Sequence, residues 1–275
     1  MFDIDKINKL PPEQQKDLLE LLSQYESAKR REDCSDNFLS FVKEMWAAFI
    51  EGYHHKIMSD AFNDVKNGKL KRLIINMPPR HTKSEFASYL LPAWFLGCFP
   101  EKKIIQVAHT AELAVGFGRK VRNLVGSADF KKVFDGVGLQ ADSKAAGRWN
   151  TNKGGEYFAI GVGGAVTGKG ADLLIIDDPH SEQEGQSNDP SVFDKVYEYY
   201  TSGPRQRLQP GGAIIIVMTR WHKRDLTGQI LKSSAQRKGV DDWKVIEFPA
   251  ILPSGKSLWQ EFWDIKELEK LRAEL

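Results

Sequence analysis

The 275-residue sequence holds only two cysteines, Cys34 and Cys98, with no CxxC spacing and no Cys/His cluster around them. That scarcity excludes a disulfide framework and a cysteine-based zinc site, and it suits a reducing compartment. Long hydrophobic runs are also missing. The longest, Tyr89–Phe99, is broken by Pro92 and Gly97 and is too short to span a bilayer. The N-terminal MFDIDKINKL has neither the basic start nor the apolar run of a secretory signal, so a cytoplasmic location with no membrane partner is expected. No charge of one sign dominates. Lys and Arg total 39 against 37 acids, a net +2, so any nucleic-acid contact must come from local patches. Internal repeats and low-complexity tracts are absent as well. What remains, 41% hydrophobic and 28% charged, is a globular composition with enough length for one large core and a small appendage.

The first part of the chain reads as helical. Pro11 and Pro12 open a helix to about Arg31 whose apolar face is Leu18, Leu19, Leu21, Leu22 and Tyr25; a second amphipathic helix carries Phe38, Phe41, Val42, Met45 and Phe49. From Leu70 onward, short β-branched runs alternate with helical patterns. Strands are expected at 72–76, 104–108, 157–161, 173–177, 214–218 and 245–248, and helices near 84–97, 111–125, 190–200 and 225–236. Such alternation predicts an α/β fold, a mostly parallel sheet flanked by helices. A charged helix is expected at 264–275.

Two segments compete as a phosphate-binding loop. By spacing, Gly163–Gly170 is the better match to GxxxxGK[ST] and fails only at Gly170, where a hydroxyl should stand. A working loop must lie between a strand and a helix N-terminus, whose free amides face the phosphates. After Gly170 comes Ala-Asp-Leu-Leu-Ile-Ile-Asp-Asp, a strand, so a glycine-rich turn is the favoured reading there. The rival, Met77–Ser84, lacks both glycines, with Met77 and Thr82 in their places. It nevertheless follows a buried strand, turns at Pro78–Pro79, and leads into a helix at Lys83–Ser84. In that setting Lys83 suits β- and γ-phosphates and the Ser84 hydroxyl suits Mg²⁺.

The apolar strand Leu173–Ile176 ends in Asp177 and Asp178. Adjacent strand residues point to opposite sides, so one carboxylate can serve a metal while the other orients water. A capping pair before Pro179 is the plainer alternative. A third strand, Ile214–Met218, leads into Thr219-Arg220-Trp221-His222, whose tip can sense a phosphate or simply end in a surface loop.

Taken together, the blocks Pro78–Ser84, Pro92–Gly97, Thr167–Pro179, Met218–His222 and Asp225–Gly228 resemble, in order and spacing, the large terminase subunits of tailed bacteriophages. The resemblance covers about residues 38 to 275. It implies a P-loop NTPase core of the ASCE type, with a helical N-terminal segment at 1–36, the ATPase domain at 37–260, and a C-terminal helix at 261–275 leading toward a nuclease domain that this chain does not include. The implied activity is ATP hydrolysis driving double-stranded DNA into a procapsid, with ATP and Mg²⁺ as cofactors and no nuclease chemistry. Nucleotide binding falls to Pro78, Pro79, Arg80, His81, Thr82, Lys83 and Ser84. Ser84 and Asp177 hold the metal, Asp178, Arg80 and Lys83 are catalytic, and Thr219 begins a coupling motif. Arg205 and Arg207 are candidates for an arginine finger offered to a neighbouring subunit. Tyr53 and His55 are candidates for adenine contact. Implied partners are DNA, a portal protein, a small terminase subunit and further copies of the chain in a ring, with isolated copies able to be monomeric, and the setting is the host cytoplasm with docking on the procapsid. Candidate backbone contacts to DNA are Arg119-Lys120-Arg122, Lys131-Lys132, Arg148 and Arg220-Lys223-Arg224, with a plain solvated face the favoured reading for any one cluster. The rival functions are a helicase-like nucleic-acid-dependent ATPase and a nucleotide-binding assembly module without hydrolysis.

Overall fold

The computed structural model describes residues 11–274 apart from 144, 188, 238 and 240. Its centre is a seven-stranded sheet: β1 (Arg72–Asn76), β2 (Lys103–Ala108), β3 (Arg148–Asn150), β4 (Glu156–Gly161), β5 (Ala171–Asp177), β6 (Leu208–Met218) and β7 (Lys244–Glu247). The spatial order is β3-β4-β2-β5-β6-β1-β7. Every neighbouring pair is parallel except the edge pair β3–β4. Register aligns the strand tips that matter: Asp177 stands beside Val217, and Val217 beside Ile75.

The central strands are almost continuous Ile, Leu and Val because both faces are covered. Leu73, Ile75, Leu173, Ile175, Ile215 and Val217 point into one core with Phe38, Phe62, Phe86 and Trp94. The alternate residues Ile74, Leu174, Ile176, Ile214 and Ile216 point into a second core on the other face.

On the first face lie α1 (Pro12–Asp36), α2 (Phe38–Met45) and α3 (Tyr53–Lys66). The stretch expected as one helix at 84–97 is a π-helical turn, Glu85–Leu90, running into α4 (Leu91–Cys98). Next come α5 (Ala111–Gly126), α6 (Ala128–Val133), α7 (Glu182–Gly185), α8 (Ser191–Ser202), α9 (Leu226–Gln236) and α10 (Ile265–Glu274). Among the described residues no helix is long and apolar enough to cross a membrane.

The expected apolar face of α1 is not buried. Leu19 and Leu21 are 62% exposed and Tyr25 64%. The helix joins the body through its other end, where the Trp94 indole donates to Cys34 O at 2.7 Å. The helix α3, unanticipated from the sequence, buries His54, His55, Met58, Ala61, Phe62 and Val65.

Candidate functional site

After β1, Met77 N–H still bonds to Met218 O at 3.1 Å, so the chain leaves the sheet only at Pro78. The turn that follows has Arg80 at φ +62° and Thr82 at φ +67°. A non-glycine residue in this left-handed region costs roughly 1–2 kcal/mol, and a β-branched one is a clear outlier. Each is tied down. The Trp263 indole donates to Arg80 O at 3.4 Å, and the Thr82 hydroxyl lies 2.6 Å from His55 Nε2. His81 is buried, donates from Nδ1 to Pro79 O at 2.8 Å, and stacks on Trp263.

Beyond the turn, Lys83 and Ser84 begin the helix. The Lys83 ammonium, 8% exposed, pairs with Asp178 Oδ2 at 2.7 Å. Ser84 donates its hydroxyl to Asp177 Oδ1 at 3.0 Å, and Ser88 donates to Asp177 Oδ2 at 2.7 Å. Gln106, from the neighbouring β2, donates to Ser88 Oγ at 3.0 Å. The π-helical turn belongs to this arrangement, since such insertions concentrate at functional sites. Burial, then the adjacent Asp178 charge, pushes the Asp177 carboxyl up to about 7, with the Ser88 hydrogen bond and Lys83 pulling the other way. Asp178 has φ +39°. Its Oδ1 accepts from Thr219 N–H at 2.8 Å, while the Thr219 hydroxyl donates to Met77 O at 3.3 Å. Thr219 thereby joins the tip of β6 to both the turn after β1 and the acid after β5.

No family model matches the chain, and no curated protein matches it. Among solved structures, the large terminase of bacteriophage HK97 superposes with a TM-score of 0.50 at 16% identity, over 82% of this chain and 48% of that one. The large terminase ATPase domain of Thermus phage P74-26, in a mutant form, gives 0.48 at 14% identity, over 84% of this chain and 90% of that one. The seven-stranded, mostly parallel sheet flanked by helices is thus similar in fold to part of the HK97 large terminase. The chain spans about half the length of the HK97 protein.

Elsewhere in the fold the other expected residues are dispersed. The Gly163–Gly170 segment is the crossover from the end of β4 to the start of β5, as its reading as a turn requires. Lys169 pairs at 2.5 Å with Glu156, the first residue of β4, at the opposite end of the sheet from Lys83. Arg205 and Arg207 also lie at that far end, in the 3₁₀ turn Pro204–Arg207 before β6. Arg205 is held by Asp241 at 2.8 Å, which also holds Arg72, so it does not project as a free finger. His55 is corrected too. It is fully buried, with both ring nitrogens engaged, and so offers no edge to a base; Tyr53 is 68% exposed.

Several cations expected to meet DNA are already compensated. Lys120 pairs with Glu85, Lys132 with Asp129, Arg148 with Glu156, Arg220 with Asp225 and Glu247, and Arg224 with Asp194. The Thr219–Gly228 block has a structural job in addition to its tip. Buried Asp225 caps α9 by accepting from Gly228 N–H, and it also accepts from Arg220 Nε and from the Trp221 and His222 amides. Beside the turn, a largely apolar cleft of about 760 Å³ lies between Pro78–His81 and the C-terminal Trp263, Leu268 and Leu271. Sequence reasoning missed Ser88, Gln106 and Trp263. Ser88 alone had a signal, standing four residues after Ser84 on one helix face.

Proposed function

We propose that this chain is the ATP-hydrolysing motor domain of a phage DNA-packaging terminase. The observation that carries the reading is that Lys83 and Ser84, at the helix start after β1, face Asp177 and Asp178 at the tip of β5. Phosphates seated on the 80–84 turn would meet the helix amides and the Lys83 ammonium. The Ser84 hydroxyl and the Asp177 carboxylate, hard oxygen donors already in contact, fit a Mg²⁺ ion and would hold it. When bound, the ion supplies charge neutralisation at the phosphate oxygens. Asp178 has both oxygens occupied, one by Thr219 N–H and one by Lys83. Lys83 turning to the γ-phosphate would free Oδ2 to accept a proton from an attacking water. The Arg80 side chain is exposed and, among the described residues, has no ion pair, which suits a role at the γ-phosphate. Thr219, bonded to both Asp178 and Met77, is suited to pass phosphate loss to the rest of the sheet. The apolar cleft beside Pro78–His81 is of a size to take the base. Double-stranded DNA gripped through its backbone, a portal, a small terminase subunit and further copies in a ring belong to the same reading, as does work in the host cytoplasm at a procapsid.

Phosphate release from Mg·ATP, with and without DNA, tests it. Lys83→Ala and Asp178→Asn should each lower turnover by ~10²–10³-fold while leaving the circular dichroism spectrum unchanged, the scale of losing one electrostatic contributor. Wild-type turnover by both variants would sink the assignment.

A further inference from the structure

Thr82 stands where a phosphate loop normally uses glycine, and its φ of +67° is one that a β-branched residue does not hold by itself. We propose that His55, 27 residues upstream on α3, is a positioning residue that locks this turn: its ring is oriented by Gly52 and donates a hydrogen bond to the Thr82 hydroxyl. The inference rests on the reading of residues 78–84 as the nucleotide loop.

The proton positions follow from the partners. Gly52 N–H can only donate, and it points at His55 Nδ1 at 2.8 Å, so Nδ1 presents its lone pair. In a neutral ring the proton is then on Nε2, which faces Thr82 Oγ1 at 2.6 Å and donates to it. The Thr82 hydroxyl hydrogen is left to donate to His81 O, 2.5 Å away. The chain Gly52, His55, Thr82, His81 thus runs in one direction with each polar atom used. The ring is fully buried, stacked on Phe86 at 4.7 Å and met edge-on by Phe49 and Trp259, so no water can substitute for it. Burial keeps it neutral, with the imidazole pushed down to about 2. His55 also closes the first turn of α3 through Gly52, so the start of that helix and the phosphate turn share one ring. The ring does by tertiary contact what the missing glycine would do by composition.

The decisive measurement is a double-mutant cycle on the full chain, reading the dissociation constant of a fluorescent ADP with Mg²⁺. His55→Leu keeps the packing volume and removes both nitrogens. In the Thr82 background it should weaken binding roughly tenfold, the scale of one buried hydrogen bond. In the Thr82→Gly background the same change should matter less than about twofold, because glycine holds the turn unaided. Loss of the α3 cap is common to both arms and cancels. Thr82→Val, which leaves His55 in place, should weaken binding like His55→Leu, and Thr82→Ser should recover most of that loss. Equal effects of His55→Leu in both backgrounds would overturn the lock and leave His55 as ordinary core. If the wild-type chain does not bind the ADP, the nucleotide reading fails and the lock is judged separately. The same cycle in urea midpoints must then show His55→Leu less harmful in the Thr82→Gly background than in the Thr82 one, and an additive cycle would refute it.

Discussion

Replacing Asp177 with asparagine should make the ligand-free protein more stable, and increasingly so as pH rises. The carboxyl is 3% exposed and adjacent to Asp178, and its two hydroxyl donors and Lys83 do not offset that burial. With its folded-state value raised to about 7 from an ordinary 3.8, the native state holds this proton more tightly than the unfolded chain does. Where the native state binds more protons, stability falls as pH rises. The contribution is therefore present below the unfolded value and is lost as pH climbs through 7. At ~1.4 kcal/mol per unit, the two units from pH 5 to 7 amount to about 3 kcal/mol. Asparagine carries no charge; its carbonyl oxygen can still accept from Ser88 while its NH2 group donates to a reoriented Ser84 hydroxyl, so the variant should escape that loss. The assay is urea unfolding followed by tryptophan fluorescence at pH 5, 6, 7 and 8, in EDTA to exclude divalent ions. The difference between variant and wild type should be smallest at pH 5 and grow by about 3 kcal/mol in the variant's favour by pH 8. Buried His54, pushed down to about 4 by burial and then by His81, acts in the opposite sense. Its contribution is present above the ordinary histidine value and is lost as pH falls toward 4, but it enters both curves and cancels. A pH-independent difference, or a variant less stable at pH 8, would refute the reasoning.

Two further outcomes separate this site from its surroundings. Lys169→Ala, in the segment with the better-spelled motif, should leave nucleotide affinity within about twofold while lowering stability by roughly 1–2 kcal/mol through loss of the Glu156 pair; a large affinity loss in a titration would return the Gly163–Gly170 segment to contention. Gly118→Ala should destabilise by roughly 1–3 kcal/mol, since its Cβ would come within 2.5 Å of Ala146 O and 3.1 Å of the Tyr157 ring; an unchanged urea midpoint would mean that the neighbouring backbone yields freely.

The sheet was largely legible because its strands are apolar runs bounded by polar turns, and β1 falls on the expected residues 72–76. β6 begins six residues earlier than expected, since Leu208–Gly212 pairs as an extension without the buried pattern of Ile214–Met218. The helix α3 was hidden by its composition. His54, His55, Ser59 and Asp60 interrupt the apolar spacing, and both histidines are themselves buried. The leucines of α1 misled in the opposite direction: an apolar stripe is evidence of burial only where another element covers it, and the N-terminal part of this helix has little to cover it. At the site, Lys83-Ser84 and Asp177-Asp178 could be read because each pair is contiguous and ends or begins an element. Ser88 offered only its place four residues after Ser84, and the role of His55 could not be read, because their pairings lie 89 and 27 residues apart.

Backbone strain is concentrated in the same place. Among the described residues, three that are not glycine have left-handed φ, namely Arg80, Thr82 and Asp178, and all three are at this site. Strain of that kind persists only where the surroundings over-determine it. Trp263 holds the Arg80 carbonyl, His55 holds the Thr82 hydroxyl, and Thr219 N–H and Lys83 hold the Asp178 carboxylate. Glycine would have made the turn around residues 80 and 82 recognisable from spelling, because its freedom is written in its composition. Here the same conformation is enforced by residues from α3 and from the C-terminal segment. A pattern search therefore prefers Gly163–Gly170, where Gly163 and Gly168 do adopt positive φ but only carry the chain across the sheet. The conformation needed at residues 80–84 has been moved out of the local sequence and into tertiary contacts, so its tolerance to mutation should be sought at His55 and Trp263 as much as in the turn itself.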